Sequence, residues 1–238
     1  SKSSDGISKS LFNKAVFSIT KYIISKILFA YHVFAKILIQ IMELSTEELL
    51  KKYSKNISHP QEVRRICSML FEEASRKVFE MSQVEKKYLE SAALLHDIGY
   101  YKEAKGHNKH SMKMIIKEGL SGFSEQETRI IACIARYHRG SLPDKEEHDV
   151  YNTLEKHERK IVKRLGGILK LADGLDKAHK SIIEKIKLDY DYKNSIVKVF
   201  LVTNGESLDI SAAIRKRDLF EVGFKCQSVL LLGNNNII

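Results

Sequence analysis

The sequence contains few cysteines, which could cross-link the chain through disulfides, and few prolines, which would interrupt helices. Its three cysteines, Cys67, Cys133 and Cys226, are widely spaced and form no CxxC pair. A disulfide framework and a thiolate zinc site are therefore not supported, and a reducing cytoplasm is the expected compartment. Only two prolines occur among the 238 residues, while 29% of the residues are charged and 43% are hydrophobic. This composition favours a mainly helical protein with its own core.

Long hydrophobic runs are also absent, although residues 21–42 are rich in isoleucine and phenylalanine. Lys26 and Lys36 interrupt this segment, and its longest uncharged run has nine residues, against the ~18–20 that a membrane-spanning helix needs. No small-x-small cleavage site follows, which argues against a secretory signal. Three interpretations of residues 1–41 stay open: an amphipathic helix on a membrane surface, an extra helix packed on the domain, or sequence upstream of a true start at Met42.

The main body of the chain has no large excess of positive charge. Of the net charge of +10, half falls in residues 1–42, which contain six lysines and one aspartate. A dedicated nucleic-acid-binding surface is therefore not expected. The mildly basic remainder is compatible with small anionic substrates.

Helical patterns dominate from Glu43 onward. After about residue 180, KIKLDYDY and SIVKVFLVT carry β-forming residues, and Lys193–Asn194 between them predicts a hairpin turn. We expect a mainly α fold, with a helical bundle over residues 42–180 and a small α+β subdomain over residues 181–238 that contains an antiparallel sheet and one helix. Helix starts are predicted by three capping boxes, which are Ser45–Glu48, Ser82–Glu85 and Ser124–Glu127.

Histidines and aspartates recur at predicted helix ends and on apolar helices. In SAALLHDIGYY, His96 and Asp97 stand where an apolar helix ends. Asp173 lies in GGILKLADGLD, an apolar setting in which an ionised carboxylate without a partner costs several kcal/mol. A bound divalent cation would remove that cost and give the histidines a role. The ordered set is His59, His96, Asp97, His107, His110, His138 and Asp173.

Each member of this set, taken alone, has an ordinary structural explanation as a helix-end residue, a solvated loop residue or a helix cap. The HD dipeptide by itself has little specificity. Asp176 is explained equally well as a helix cap or as a group that orients a ligand histidine. The specificity lies in the order of the residues on helices, with no cysteine competing for a metal.

The ordered set resembles the HD superfamily of metal-dependent phosphohydrolases, in which an H…HD…D set binds a divalent metal within a helical bundle. The resemblance implies that His96 and Asp97 form the catalytic pair. It implies as metal ligands His59, His96, Asp97 and Asp173. In binuclear members two further histidines bind a second ion. The resemblance implies His110 and His138 for that role, with His107 as a supporting group or a substitute ligand.

Three longer stretches are similar to the C-terminal HD-type domain of the exopolyphosphatase / guanosine pentaphosphate phosphohydrolase (Ppx/GppA) family. They are AALLHDIGYYKEAKGHNKHS, LSGFSEQETRIIACIARYHRG and LGGILKLADGLDKAH, and the similarity extends from about Ser58 to Leu232. Full-length members carry an N-terminal actin-like phosphatase region, to which that family's main activity belongs, and these 238 residues contain no part of it. We therefore expect a stand-alone domain, for which exopolyphosphatase activity does not follow from the resemblance.

The resemblance implies a metal-dependent phosphohydrolase that releases phosphate from a nucleotide or another phosphorylated small molecule through a metal-activated water. One or two divalent ions are expected, and Mn, Fe, Zn, Ni and Mg all stay open. Cations beside the site residues are candidates for phosphate contacts; they are Lys109, Arg136, Arg139 and Lys177.

The alternative is a non-catalytic regulatory or ligand-binding module derived from the same C-terminal domain. The missing actin-like region favours this alternative, whereas the intact ligand set favours an enzyme. A homodimer is compatible with both. Membrane contact is expected only if residues 1–41 are part of the native protein.

Overall fold

The structure is a computed structural model that describes residues 17–34 and 43–233. It divides into two compact units, residues 1–43 and residues 44–238. In the first unit, residues 17–34 form helix α1. Among the described residues, no helix combines the length and the apolar character needed to cross a membrane. The rest of the predicted N-terminal extension lies outside the described residues, so the choice among its three interpretations stays a prediction.

The second unit is a helical bundle with a small sheet, as the sequence predicts. A 3-10 turn, Ile98–Tyr101, follows the fourth helix. The helices are α2 (Thr46–Tyr53), α3 (Ser58–Lys77), α4 (Gln83–Leu95), α5 (His107–Glu118), α6 (Glu125–Arg136), α7 (Asp149–Asn152), α8 (Lys156–Leu175), α9 (Ser211–Lys216) and α10 (Asp218–Phe224). The strands are β1 (Ile183–Asp191), β2 (Ile196–Thr203) and β3 (Gln227–Gly233).

Three of these helices, α2, α4 and α6, begin at the predicted capping boxes. In each box the serine hydroxyl accepts a hydrogen bond from the backbone N–H of the glutamate three residues later. The glutamate side chain in turn accepts a hydrogen bond from the serine backbone N–H. These bonds satisfy donors that the start of a helix otherwise leaves free, so the three predicted helix starts are confirmed.

Helix α8 lies at the centre of the bundle and contacts α3, α4, α6, α9 and α10. Its Leu165, Ile168 and Leu169 are fully buried. Gly167 lies where α10 packs on α8, and a Cβ atom at this position would be 2.6 Å from the Cα atom of Phe220. The two backbones therefore approach as closely as a glycine permits.

The strand order of the sheet is β1-β2-β3. Strands β1 and β2 form the predicted antiparallel hairpin, with Tyr190 opposite Val197. Strand β3 pairs with β2 in parallel, so the prediction of an antiparallel sheet is wrong for this strand. The reason is the connection, since α9 and α10 carry the chain back along the sheet before β3 begins. The single helix predicted in this connection is two helices, which meet at Arg217.

The sheet packs on the bundle through β1 and α3. The side chain of Glu73 on α3 reaches the edge of the sheet, where its Oε2 accepts a hydrogen bond of 2.9 Å from the backbone N–H of Leu188. Residues 181–233 of the expected C-terminal subdomain therefore share one compact unit with the bundle.

The close contact between α8 and α10 leads to a prediction about the free energy of unfolding. Gly167→Ala should lower the free energy of unfolding by about 1–3 kcal/mol, because the added methyl group meets backbone atoms that cannot turn aside. The matched control is Gly166→Ala, whose Cβ atom would meet the flexible end of Leu219 at 3.2 Å. That control should be neutral or stabilising, because alanine favours a helix over glycine by about 1 kcal/mol. Urea unfolding measures both variants, and equal losses would contradict the prediction.

Candidate metal centre

Five helix ends meet at one place and bring six of the predicted site residues together. Helices α4 and α6 end beside this group, α3 and α5 begin beside it, and α8 contributes its last turn. The members are His59 on α3, His96 and Asp97 after α4, His107 on α5, His138 after α6, and Asp173 on α8.

The carboxylate of Asp97 lies between two pairs of histidines. Its Oδ2 is 3.4 Å from His96 Nε2 and 3.8 Å from His59 Nε2. Its Oδ1 is 3.3 Å from His107 Nε2 and 3.6 Å from His138 Nε2. Each oxygen atom faces its own pair of histidines, so two groups with metal-ligand spacing share this one carboxylate.

Asp173 adds a second carboxylate to the pair formed by His59 and His96. Its Oδ1 is 3.3 Å from His59 Nε2 and 3.8 Å from His96 Nε2. Its Oδ2 accepts a hydrogen bond from Lys216 Nζ. One group therefore offers two imidazoles and two carboxylates, and the other offers two imidazoles and the shared carboxylate of Asp97.

The outward-facing nitrogen of each of these histidines is held by a hydrogen bond. In three of them, Nδ1–H donates to the backbone carbonyl three residues earlier, at 2.7 to 3.0 Å. A carbonyl oxygen only accepts, so Nδ1 carries a proton, and in the neutral ring Nε2 presents its lone pair to the centre. These bonds join His96 to Ala93, His107 to Ala104, and His138 to Ala135. In the fourth histidine, His59, Nδ1 lies 2.7 Å from Oδ2 of the buried Asp176.

Three of the inward-facing nitrogens, unlike His59 Nε2 beside Asp173 Oδ1, lack partners that account for their positions. His107 Nε2 and His138 Nε2 are 3.1 Å apart, and two lone pairs at this distance repel each other. His96 Nε2 is buried and has no hydrogen-bond partner among the described residues. Buried polar atoms are rarely left unpaired. A cation between these nitrogens would satisfy them, so the donor set fits a divalent metal that accepts imidazole and carboxylate ligands.

Burial and neighbouring charges set the protonation of the group. Burial opposes ionisation of Asp173, but the hydrogen bond from His59 and nearby imidazoles hold the pKa of Asp173 well below its usual value. Burial likewise opposes ionisation of Asp97, and the adjacent His96 outweighs it and lowers the Asp97 pKa. Burial lowers the pKa of His138 to about 3. At neutral pH these residues are two carboxylates and a neutral imidazole, which are the protonation states that metal ligands require.

Two of the four histidines have raised pKa values, unlike His107 and His138, whose pKa values burial lowers. One is His96, where burial opposes protonation but the adjacent Asp97 carboxylate outweighs it and raises the pKa. The other is His59. Burial works to lower its pKa, but hydrogen bonds with Asp173 and Asp176 outweigh burial and raise the pKa to about 9. The metal-free protein therefore holds a proton on His59 at neutral pH. A divalent ion that binds His59 has to displace this proton.

His107 lies in the group and His110 lies outside it, although the resemblance implied His110 as the ligand and His107 as a supporting group or substitute ligand. His107 is the first residue of α5 and is 2% exposed. The His110 side chain is 32% exposed, and its Nε2 lies 3.8 Å from Glu103 Oε2. Sequence spacing alone did not separate the two, because both lie on one face of one helical turn and only their depth differs.

Residues of the group line an open cleft of about 800 Å³ with basic and aromatic walls. Of the residues expected to contact phosphate, Arg139 and Lys177 line the cleft, whereas Lys109 and Arg136 are not among its lining residues. Arg136 is buried, and its guanidinium lies over the Tyr137 ring. The other cations that line the cleft are Lys51, Lys52, Lys55 and Lys216.

Three residues that contact the centre were missed by the sequence analysis. Tyr100 stacks on His107, and His179 stacks on His59, each with 4.0 Å between ring centroids. Both stand within a few residues of predicted site residues, and that proximity was a usable signal. The third is Lys216, which lies 43 residues beyond Asp173 and is marked by no local pattern.

Two small residues hold the end of α4 against the start of α5. A Cβ atom at Gly99 would overlap the carbonyl oxygen of His107, so only glycine fits there. The hydroxyl of Ser111 donates to the His96 carbonyl at 2.6 Å and accepts from the Gly99 N–H at 2.9 Å. The backbone therefore fixes the separation of His96 and His107 without help from a metal.

Single replacements of His107 and His110 test which of them is a metal ligand. We expect His107→Ala to lower the Mn²⁺ content by about one ion per chain, because the pair with His138 loses a donor. His110→Ala is the matched control and should leave the metal content unchanged. Mass spectrometry of metals in protein purified without a metal-binding tag gives both ratios. Loss of metal in His110→Ala alone would contradict the assignment.

Comparison with known proteins places this fold and site in a family. The family model of Ppx/GppA phosphatase, domain III, matches residues 41–215. No curated protein matches the chain. The matched range contains helices α2 to α8, the β1–β2 hairpin and all six residues of the group, and it covers well over half of the sequence. The chain therefore belongs to the Ppx/GppA phosphatase family, through domain III.

Proposed function

We propose that this protein is a metal-dependent phosphohydrolase of the HD type that acts on a nucleotide or another phosphorylated small molecule. The observation that carries the proposal is the division of the Asp97 carboxylate between two histidine pairs. A carboxylate with one oxygen at each of two ligand groups is suited to bridge two divalent cations, as in two-metal phosphatases and nucleases.

The proposed ligand sets follow the two groups. The first ion would be held by His59, His96, Asp97 and Asp173, and the second by Asp97, His107 and His138. Mixed nitrogen and oxygen donors suit Mn, Fe, Zn or Ni better than Mg, which prefers oxygen ligands.

The chain's own residues prepare this centre for phosphoryl transfer. Divalent cations bound there would supply a water of lowered pKa and neutralise charge on the phosphoryl oxygens. The bonds of the Nδ1 atoms hold each imidazole with Nε2 inward, which fixes the ligands before an ion arrives. Arg139 and Lys177 offer positive charge along the cleft to the oxygens of the substrate.

The charge of the cleft supports an anionic substrate. Six lysine and arginine side chains line it, and the only acids among the described lining residues are Asp97 and Asp173 of the centre itself. With two divalent ions bound, the whole lining would be strongly positive, so a phosphorylated substrate is favoured over a neutral one.

A ligand-binding role without catalysis is the second candidate. It is favoured by the extent of the family match, which is to domain III alone. The same cleft would then hold a phosphorylated ligand without turnover. Full metal loading together with no phosphate release from nucleotides or aryl phosphates would support this role over the enzyme.

Replacement of the shared carboxylate, that of Asp97, tests the proposed enzymatic activity. Asp97→Asn should lower phosphate release by at least roughly 100-fold and the metal content from two ions to at most one, because both ions lose a ligand. The assay is phosphate release by the Mn²⁺-loaded full chain from nucleoside mono-, di- and triphosphates and p-nitrophenyl phosphate.

The control for this replacement is Asp144→Asn, in an exposed loop carboxylate outside the group. This control should keep both the metal content and the activity of the wild type. Wild-type activity and two bound ions in Asp97→Asn would contradict the proposal.

A further inference from the structure

One of the positively charged side chains that line the cleft forms a hydrogen bond with a residue of the candidate metal centre. Lys216, the last residue of α9, donates a hydrogen bond to Asp173 Oδ2 and lines the cleft. Its side chain is 23% exposed, half of the 46% of Lys52, which is paired with Glu118. Lys216 is therefore more buried than the paired Lys52, which lines the same cleft.

Backbone packing fixes the position of Lys216. A Cβ atom at Gly174 would lie 2.7 Å from the Cα atom of Ala213, so α8 and α9 touch through their backbones. Gly174 directly follows Asp173, and Ala213 lies one turn before Lys216 and is fully buried. The close approach of the two helices fixes the backbone from which the lysine side chain extends to the carboxylate.

Lys216 has hydrogen-bonding capacity to spare. An ammonium group carries three N–H donors, and Asp173 accepts one of them. Among the described residues, no other acceptor is bonded to Lys216. A phosphoryl group in transfer spreads negative charge over three equatorial oxygens, which need cations beyond the metal ions. A lysine that lines the cleft beside a proposed metal ligand is placed to meet one of those oxygens.

We propose that Lys216 is a catalytic residue that donates a hydrogen bond to the phosphoryl group of the substrate while it keeps its bond to Asp173. This inference rests on the proposed phosphohydrolase function. It adds a residue that lies outside residues 41–215, the range that the family model matches. Lys216 forms no covalent bond to the substrate, so its contribution is charge and position.

Inorganic phosphate, the product of the proposed reaction, is the probe. Calorimetric titration of the Mn²⁺-loaded full chain gives its Kd, and mass spectrometry gives the number of bound ions. Lys216→Met should raise the Kd for phosphate about tenfold or more, through loss of one charge-assisted hydrogen bond, with no change in bound Mn²⁺. Lys216→Gln, a second neutral variant, should weaken binding similarly.

Two further variants separate a phosphate contact from a general loss of charge or structure. Lys216→Arg keeps the charge and the bond to Asp173, and it should bind phosphate within a few-fold of the wild type. Arg215→Met is the matched control, because it removes the same charge from the preceding residue, which is exposed and is not among the cleft-lining residues. It should bind phosphate as the wild type does.

The outcomes distinguish this inference from the function on which it rests. Wild-type phosphate affinity in Lys216→Met and Lys216→Gln, with Mn²⁺ loaded, overturns the inference and leaves the proposed function intact. Loss of Mn²⁺ in both variants also overturns it, because Lys216 would then act by holding Asp173. A wild-type chain that binds no Mn²⁺ overturns the proposed function and, with it, the inference that rests on it.

Discussion

The gathering of four imidazoles around the Asp97 carboxylate, each with Nε2 inward, is the constraint on which the geometry of the centre depends. Hydrogen bonds made by Nδ1 hold the rings in place, and in three of the four histidines Nδ1–H donates to the backbone carbonyl three residues earlier. To bring the rings together, five helix ends have to meet. That convergence requires close backbone contacts, at Gly99 against α5 and at Gly174 against α9.

This construction orients the ligand atoms before any ion is bound. The ring orientations depend on backbone carbonyls and on the buried Asp176, and not on flexible surface side chains. The arrangement has a cost in stability, because His107 and His138 face each other without a partner and His96 Nε2 is unsatisfied. A protein that keeps such an unfavourable cluster in its core is expected to use it, and a divalent cation removes the unfavourable terms together.

Features that depend on a few neighbouring residues could be predicted from the sequence, whereas features that depend on contacts between distant segments could not. Capping boxes and the β-hairpin are short patterns, and each was found where expected. The direction of β3 was not predictable because it depends on the path of α9 and α10. His107 and His110 share a helical face, so only packing depth distinguishes them. Lys216 contacts Asp173 because α9, which is distant in the sequence, packs against α8, and residue spacing alone does not predict that contact.

The most direct test of the two-ion centre is the electron paramagnetic resonance spectrum of the full chain loaded with Mn²⁺, recorded alongside its metal content. Two ions that share the Asp97 carboxylate should be magnetically coupled, so the sample should contain two Mn²⁺ per chain and show an exchange-coupled spectrum. A single ion per chain, or two ions with the independent six-line spectra of isolated Mn²⁺, would contradict the assignment of Asp97 as a bridge.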